Sequence, residues 1–227
     1  MAEQQNIPPD NLHDDLVELP LFPLNVVLYP GMVLPLHIFE ERYKALMGDC
    51  IEREEPFGVV LIKEGPEVGG PAEPFAIGTS ARITTVDRLE DGRMNLLTSG
   101  GEKFETVEIT QQVPHLVGRV RYLEDLPGED RPALVTEVGE QYTIFLRNLS
   151  SLSGGWAANA QIPQEPISLA YGVASNLDLP RPIRQELLEL ATAMERLERL
   201  LPLLKRGNGI LLEQVELRNP FKGPRLN

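Results

Sequence analysis

One cysteine and three histidines limit the nucleophilic or metal chemistry open to this chain of 227 residues. A thiol nucleophile needs an imidazole within hydrogen-bond reach and a third group to orient that imidazole. Cys50 is the only thiol, and no motif pairs it with a histidine. His37, beside the Pro35-Leu36 corner, reads as a polar group that finds a hydrogen-bond partner. His13, His37 and His115 show neither H-x-H nor H-x-x-x-H spacing, so no metal site and no cofactor are expected. A lone cysteine also excludes an internal disulfide, which fits a reducing compartment. A hydrolase built on Cys50 or His37 is the least supported reading.

Binding chemistry has better candidates. Glu40, Glu41 and Arg42 open a helix, where acidic residues favour the positive end of the macrodipole. Phe39, Tyr43 and Met47 read first as core. Those that stay exposed would form an adaptable apolar surface of the kind promiscuous peptide recognition uses. Trp156, in the Gly-rich SGGWAANA stretch, is an aromatic on a loop, a placement enriched at interfaces. Met32, His37, Phe39, Tyr43, Met47 and Trp156 are therefore the candidate binding residues. The balance of 34 acidic against 21 basic residues gives a net charge of −13, with no run of Lys or Arg. Nucleic-acid binding is disfavoured, because its general affinity comes from neutralising phosphates. The first 16 residues have neither a basic nor an apolar block, and no apolar run reaches the roughly 18–20 residues of a membrane helix. A cytoplasmic protein is expected.

The elements that must position these residues fall into two kinds. Residues 1–16 are polar and read as a disordered lead. From 17 to 124 the apolar runs are short and broken by turn residues. Leu19 to Tyr43 holds four prolines between such runs (Pro20, Pro23, Pro30 and Pro35), which calls for short, edge-like strands and sharp bends. The pattern predicts strands over Val26–Leu28, Val33–Ile38, Phe57–Ile62, Phe75–Val86, Met94–Thr98, Phe104–Ile109 and Leu116–Leu123. Asp91-Gly92 marks a hairpin, and the Gly/Pro-rich stretch 64–74 an exposed loop. One helix, over Glu40–Arg53, interrupts the strands.

From 125 to 227 the period becomes helical. Val135, Tyr142 and Leu149 share one line, and Val138, Phe145 and Leu152 the next, over a helix from Pro132 to Leu152 with Asp130 as its cap. SGG at 153–155 should end it. A short helix follows over Ile167–Leu177, and a third begins near Pro182. In that third helix Leu187, Met194 and Leu201 form one seam, and Leu190, Leu197 and Leu204 another. Pro202 should kink or end it, and Gly207-Asn208-Gly209 should stop it. The pattern leaves the tail after Gly209 open between helix and strand. Strands first and helices later argue an α+β fold.

Several blocks in order resemble the Lon protease amino-terminal (substrate-binding) domain family. They are LPLFPLNVVLYPGMVLPLHIFEERY at 19–43, Phe57-Gly58-Val59-Val60-Leu61, Gly78-Thr79-Ser80-Ala81-Arg82-Ile83 and Gly101-Glu102-Lys103-Phe104. Arg184-Gln185-Glu186-Leu187-Leu188-Glu189 with Glu195-Arg196-Leu197 completes the set. Lys103 stands where the family has Arg. The resemblance implies a PUA-like β pseudo-barrel followed by a small helical bundle. It also implies a stand-alone, non-enzymatic binder of unfolded or partner polypeptides. The chain has no G-x-x-x-x-G-K-[ST] phosphate loop, and too little sequence follows residue 205 for the family's Ser–Lys protease domain. The alternative is a small-molecule or RNA-binding module, since PUA-like barrels elsewhere bind RNA. The oligomeric state is not legible.

Overall fold

The computed structural model describes residues 16–70, 72–153 and 162–218. They form six strands, β1 (Val17–Leu24), β2 (Val33–Ile38), β3 (Phe57–Glu64), β4 (Glu73–Arg88), β5 (Met94–Gln111) and β6 (Leu116–Leu123), with α1 (Glu41–Arg53) between β2 and β3. Four helices follow: α2 (Pro132–Ser153), α3 (Pro166–Asn176), α4 (Arg181–Glu189) and α5 (Ala193–Arg218). The expected lead, Trp156 and the end of the tail lie outside the described residues.

The strands run β2-β5-β4-β3-β1-β6, and β5 pairs again with β6, so five of them close a circuit and β2 hangs from its side. This is the pseudo-barrel of an α+β fold. The first strand is Val17–Leu24, earlier than the expected Val26–Leu28, and it carries Pro20 and Pro23. Its first half pairs with β6 (Val17↔Val120 to Leu21↔Leu116) and its second with parallel β3 (Leu21↔Gly58 to Leu24↔Leu61). Each proline thus sits in a half with a neighbour on one side, which is how a strand tolerates a missing donor.

Pro30 and Gly31 form the next bend. Met32 N–H donates to the Tyr29 carbonyl at 3.0 Å, and Gly31 has φ +75°, as a type II turn requires of its third residue. The turn docks on β5 through Gly31 N–H to Gly100 O and Gly100 N–H to Met32 O, both 2.9 Å. The two strands expected at Met94–Thr98 and Phe104–Ile109 are one strand. Its first half pairs with β2, its second with β6, and β4 runs beside both. The glycines between those two expected strands serve packing: a Cβ on Gly100 would lie 2.2 Å from the Tyr29 carbonyl oxygen.

The helical half also departs from expectation. The first turn of α2 closes on the Arg131 carbonyl, not on Asp130. The third expected helix is two. Thr192 N–H donates to Glu195 Oε2 at 3.0 Å and Glu195 N–H to Thr192 Oγ1 at 3.2 Å, a capping box that starts α5 afresh. Neither Pro202 nor Gly207-Asn208-Gly209 stops α5, which runs to Arg218. Gly207 lets α5 approach Phe145 and Leu177, and Asn208 Nδ2 donates to Gln141 O at 2.9 Å. Contacts with α2 override the local stop signals.

Three apolar clusters form the core. One lies under β2 and α1 (Phe22, Leu34, Ile38, Tyr43, Met47, Phe57), and a small one lies inside the barrel (Leu19, Leu21, Val60, Phe104, Val120). The largest joins the halves, with Val27, Tyr29 and Leu61 packed among Val138, Leu169, Val173, Leu187 and Leu197. Replacing Gly100 with Ala is expected to destabilise the fold by about 1–3 kcal/mol, since backbone must move. Gly48 of α1 faces open space. Gly48→Ala should stabilise by roughly 0.5–1 kcal/mol. Urea denaturation of both variants checks the opposite signs.

Candidate functional site

Where the barrel meets the bundle, the Tyr29–Met32 turn faces α3 across a cleft of about 580 Å³. Pro30, Gly31, Met32 and Val33 form one wall, and Ile167, Ser168, Tyr171, Gly172, Ser175 and Asn176 the other. The turn is held from behind by α4. Tyr29 Oη donates to Arg184 O at 2.9 Å, and the Arg184 guanidinium lies 5.1 Å from the Tyr29 ring centroid. Gln185 Nε2 donates to Ile77 O of β4 at 3.0 Å. The Arg184-Gln185 pair thus ties α4 to the barrel at two points.

Beneath the cleft lies a buried ionic cluster. Asp125 Oδ1 accepts from Lys103 Nζ at 3.0 Å and from Arg196 Nη2 at 3.1 Å, and Tyr171 Oη lies 2.7 Å from both Asp125 oxygens. Lys103 and Arg196 are 3 % and 0 % exposed. Two cations against one carboxylate leave an excess positive charge, and α4 supplies the balance. Its last carbonyls, the negative end of the helix, accept from Arg196 (Leu187 O, 2.7 Å; Leu190 O, 2.8 Å) and from Lys103 (Leu190 O, 3.1 Å). The Arg196 guanidinium also lies 4.3 Å from the Tyr171 ring centroid. Burial raises the Tyr171 hydroxyl pKa well above the usual phenol range, so it stays protonated and donates.

The α3 wall is fixed at its N-terminus by Glu165, whose carboxylate accepts from Ile167 N–H (2.9 Å) and Ser168 N–H (2.7 Å). Burial works against ionisation, but the backbone hydrogen bonds prevail and hold its pKa below the usual carboxylate range. The cap is therefore complete above the ordinary carboxyl pKa and is lost as pH falls through the lowered value.

The sequence-predicted residues divide by depth. Met32 lines the cleft. His37 is exposed on β2, with Nδ1 2.7 Å from Asn95 Oδ1 and its ring stacked 6.1 Å from that of Phe39. Phe39 is 48 % exposed. Tyr43 and Met47 are core residues: Met47 is fully buried, and Tyr43 packs 4.4 Å from the Phe22 ring. Met47 is closed to any partner, whereas Tyr43 also lines a concavity of about 310 Å³ with Arg42, Pro66 and Glu67. Cys50 lies in the same core, and burial pushes its thiol pKa up to about 11, which removes the thiolate a nucleophile needs. Among the described residues no group of three or more His, Cys, Asp or Glu is placed to hold a metal.

Sequence reasoning missed Val33, the α3 wall and the ionic cluster. The nearest signal was that both cations, Lys103 and Arg196, fall in the blocks that carry the family resemblance. A second concavity, of about 650 Å³ and mainly apolar, lies on the bundle between Phe145, Leu149, Leu179, Ile183, Leu203 and Ile210.

This arrangement of barrel, junction and bundle has known counterparts. Residues 18–206 match the ATP-dependent protease La (LON) substrate-binding domain. The chain belongs to that family. It is 28% identical over 94% of its length to Lon protease of Anaeromyxobacter dehalogenans, and 30% identical over 90% to Lon protease 2 of Myxococcus xanthus. It spans about a quarter of the length of these relatives, 26% and 25%. A Lon N-terminal domain protein from Xanthomonas campestris has a similar structure (TM-score 0.64, 32% identity, 82% of this chain and 98% of that one). The N terminal domain of Mycobacterium avium complex Lon protease shares the fold at 17% identity, TM-score 0.64, over 85% of this chain and 98% of that one.

Within this LON substrate-binding domain, removing the shared carboxylate leaves two buried cations unpaired. Asp125→Ala is expected to cost about 3–5 kcal/mol in chemical denaturation.

Proposed function

We propose that this chain is a non-enzymatic, cytoplasmic polypeptide-binding protein that takes up exposed apolar segments of unfolded chains at the barrel–bundle cleft. The observation that carries the reading is the cleft itself, in a member of a substrate-binding family. Its walls alternate apolar side chains (Met32, Val33, Ile167) with small polar ones (Ser168, Ser175), and so suit both the side chains and the backbone of an extended polypeptide. Asn176 Nδ2 is spent on Tyr142 Oη and Gly172 O, which leaves its Oδ1 to accept from a ligand amide. The candidates offer no nucleophile beside a base. No helix among the described residues is long and apolar enough to cross a membrane.

Recognition by apolar burial, at about 25 cal/mol per Å² before ordering costs, makes a shallow cleft a weak binder with an affinity on the order of micromolar. The net charge of −13 adds a preference for basic flanking residues, weakened by salt. A reduced, carboxymethylated polypeptide titrated against the labelled protein should bind saturably. Met32→Glu, which sets a charge in the cleft, should weaken that binding about ten-fold or more without unfolding the protein. Absence of saturable binding, or an unchanged affinity in the variant, contradicts the reading.

A further inference from the structure

The free edge of β2 continues the cleft. Met32 and Val33 line the cleft, and Val33 is also the first residue of β2, which among the described residues pairs with β5 alone. The register of that pairing shows which backbone groups are left over. Gly31 N–H donates to Gly100 O and Gly100 N–H to Met32 O, a bulge that turns the Met32 carbonyl toward β5, and along an antiparallel ladder such inward-turned residues alternate. Leu34, Leu36 and Ile38 then exchange bonds with Thr98, Leu96 and Met94, while Val33, Pro35 and His37 turn their backbone groups outward. Pro35 fits this parity, because its missing donor faces away from β5.

The outward edge carries two donors, Val33 N–H and His37 N–H, and three acceptors, the carbonyls of Val33, Pro35 and His37. Only an extended backbone matches that row. The side chains beside it are apolar and accessible: Val33 is 60 % exposed, Leu97, opposite Pro35, 43 %, and Phe39 48 %. The His37 ring, held by Asn95 and stacked on Phe39, continues the same strip.

We infer that a polypeptide segment leaving the cleft adds to β2 as a further strand, with its pairing amides opposite Val33 and His37 and apolar side chains at alternate positions. This rests on the polypeptide-binding reading and gives it a register. Val33 to Phe39 spans roughly 20 Å, so the segment is about seven residues long. Pro35 sets the strength of the edge. It withholds the central donor, leaving one ligand carbonyl unpaired, and that keeps the site weak and the edge from zipping to a second copy.

The test uses a soluble heptapeptide of alternating Val and Thr with lysine at both ends, and the intact protein. Pro35→Val restores the missing donor and should tighten binding about five-fold, the worth of one hydrogen bond. With wild-type protein, N-methylation of alternate peptide amides should abolish binding for one set and spare the other. Unchanged affinity in P35V, P35V self-association without tighter peptide binding, or equal effects of the two N-methyl sets overturns strand addition. If the wild type still binds the carboxymethylated polypeptide in those cases, the polypeptide-binding reading survives alone. No saturable binding of either ligand overturns both.

Discussion

Asp125 is the residue through which the two halves of this domain hold one another. Its carboxylate is shared by a barrel lysine, a bundle arginine and an α3 tyrosine, and the C-terminal carbonyls of α4 accept further hydrogen bonds from both cations. A buried ion pair is an uncertain source of net stability, since desolvation can cancel its attraction. What this cluster supplies is direction. Five groups from β5, α3, α4, α5 and the linker before α2 must converge on one point, and few other arrangements of barrel and bundle satisfy them. Apolar burial around Tyr29, Leu61 and Leu187 is larger but not directional.

The cleft follows from that constraint. With α3 anchored by Tyr171 and the Tyr29–Met32 turn anchored by Arg184 and Gly100, two rigid edges stand apart and the space between them cannot collapse. The same turn feeds directly into β2, whose outward backbone groups extend the surface. A receptor for unfolded chains gains from this layout. Under the proposed function, preformed walls would lower the ordering cost on the protein's side, and weak anchors with a proline-interrupted edge would keep residence short.

Much of the fold was legible in the sequence where local signals and tertiary packing agree. The β2 and β6 strands, α1, and the Asp-Gly hairpin stood out because side-chain period, turn residues and burial all point one way. Legibility failed where a glycine or proline serves a neighbour instead of its own segment. Gly100 fell in the gap between two expected strands and is a contact with the Tyr29 carbonyl; Gly207 looked like a stop and is a helix crossing beside Phe145. Of the cleft lining, Met32 alone was singled out in the sequence, while His37 and Phe39 lie outside it, on and just after β2. Tyr43 and Met47 have the same composition but sit on the inward face of α1, a distinction that needs the partner of the helix. Lys103, Asp125 and Arg196 were invisible as a group, since nothing in three separated charges shows that they meet.

The most direct measurement is amide hydrogen exchange on the full chain, with and without a saturating reduced, carboxymethylated polypeptide. Binding at the cleft should slow exchange along 30–37 and 167–176, its two walls and the strand that continues it. Protection confined to the apolar concavity on the bundle, or none on either wall of the cleft, would contradict it.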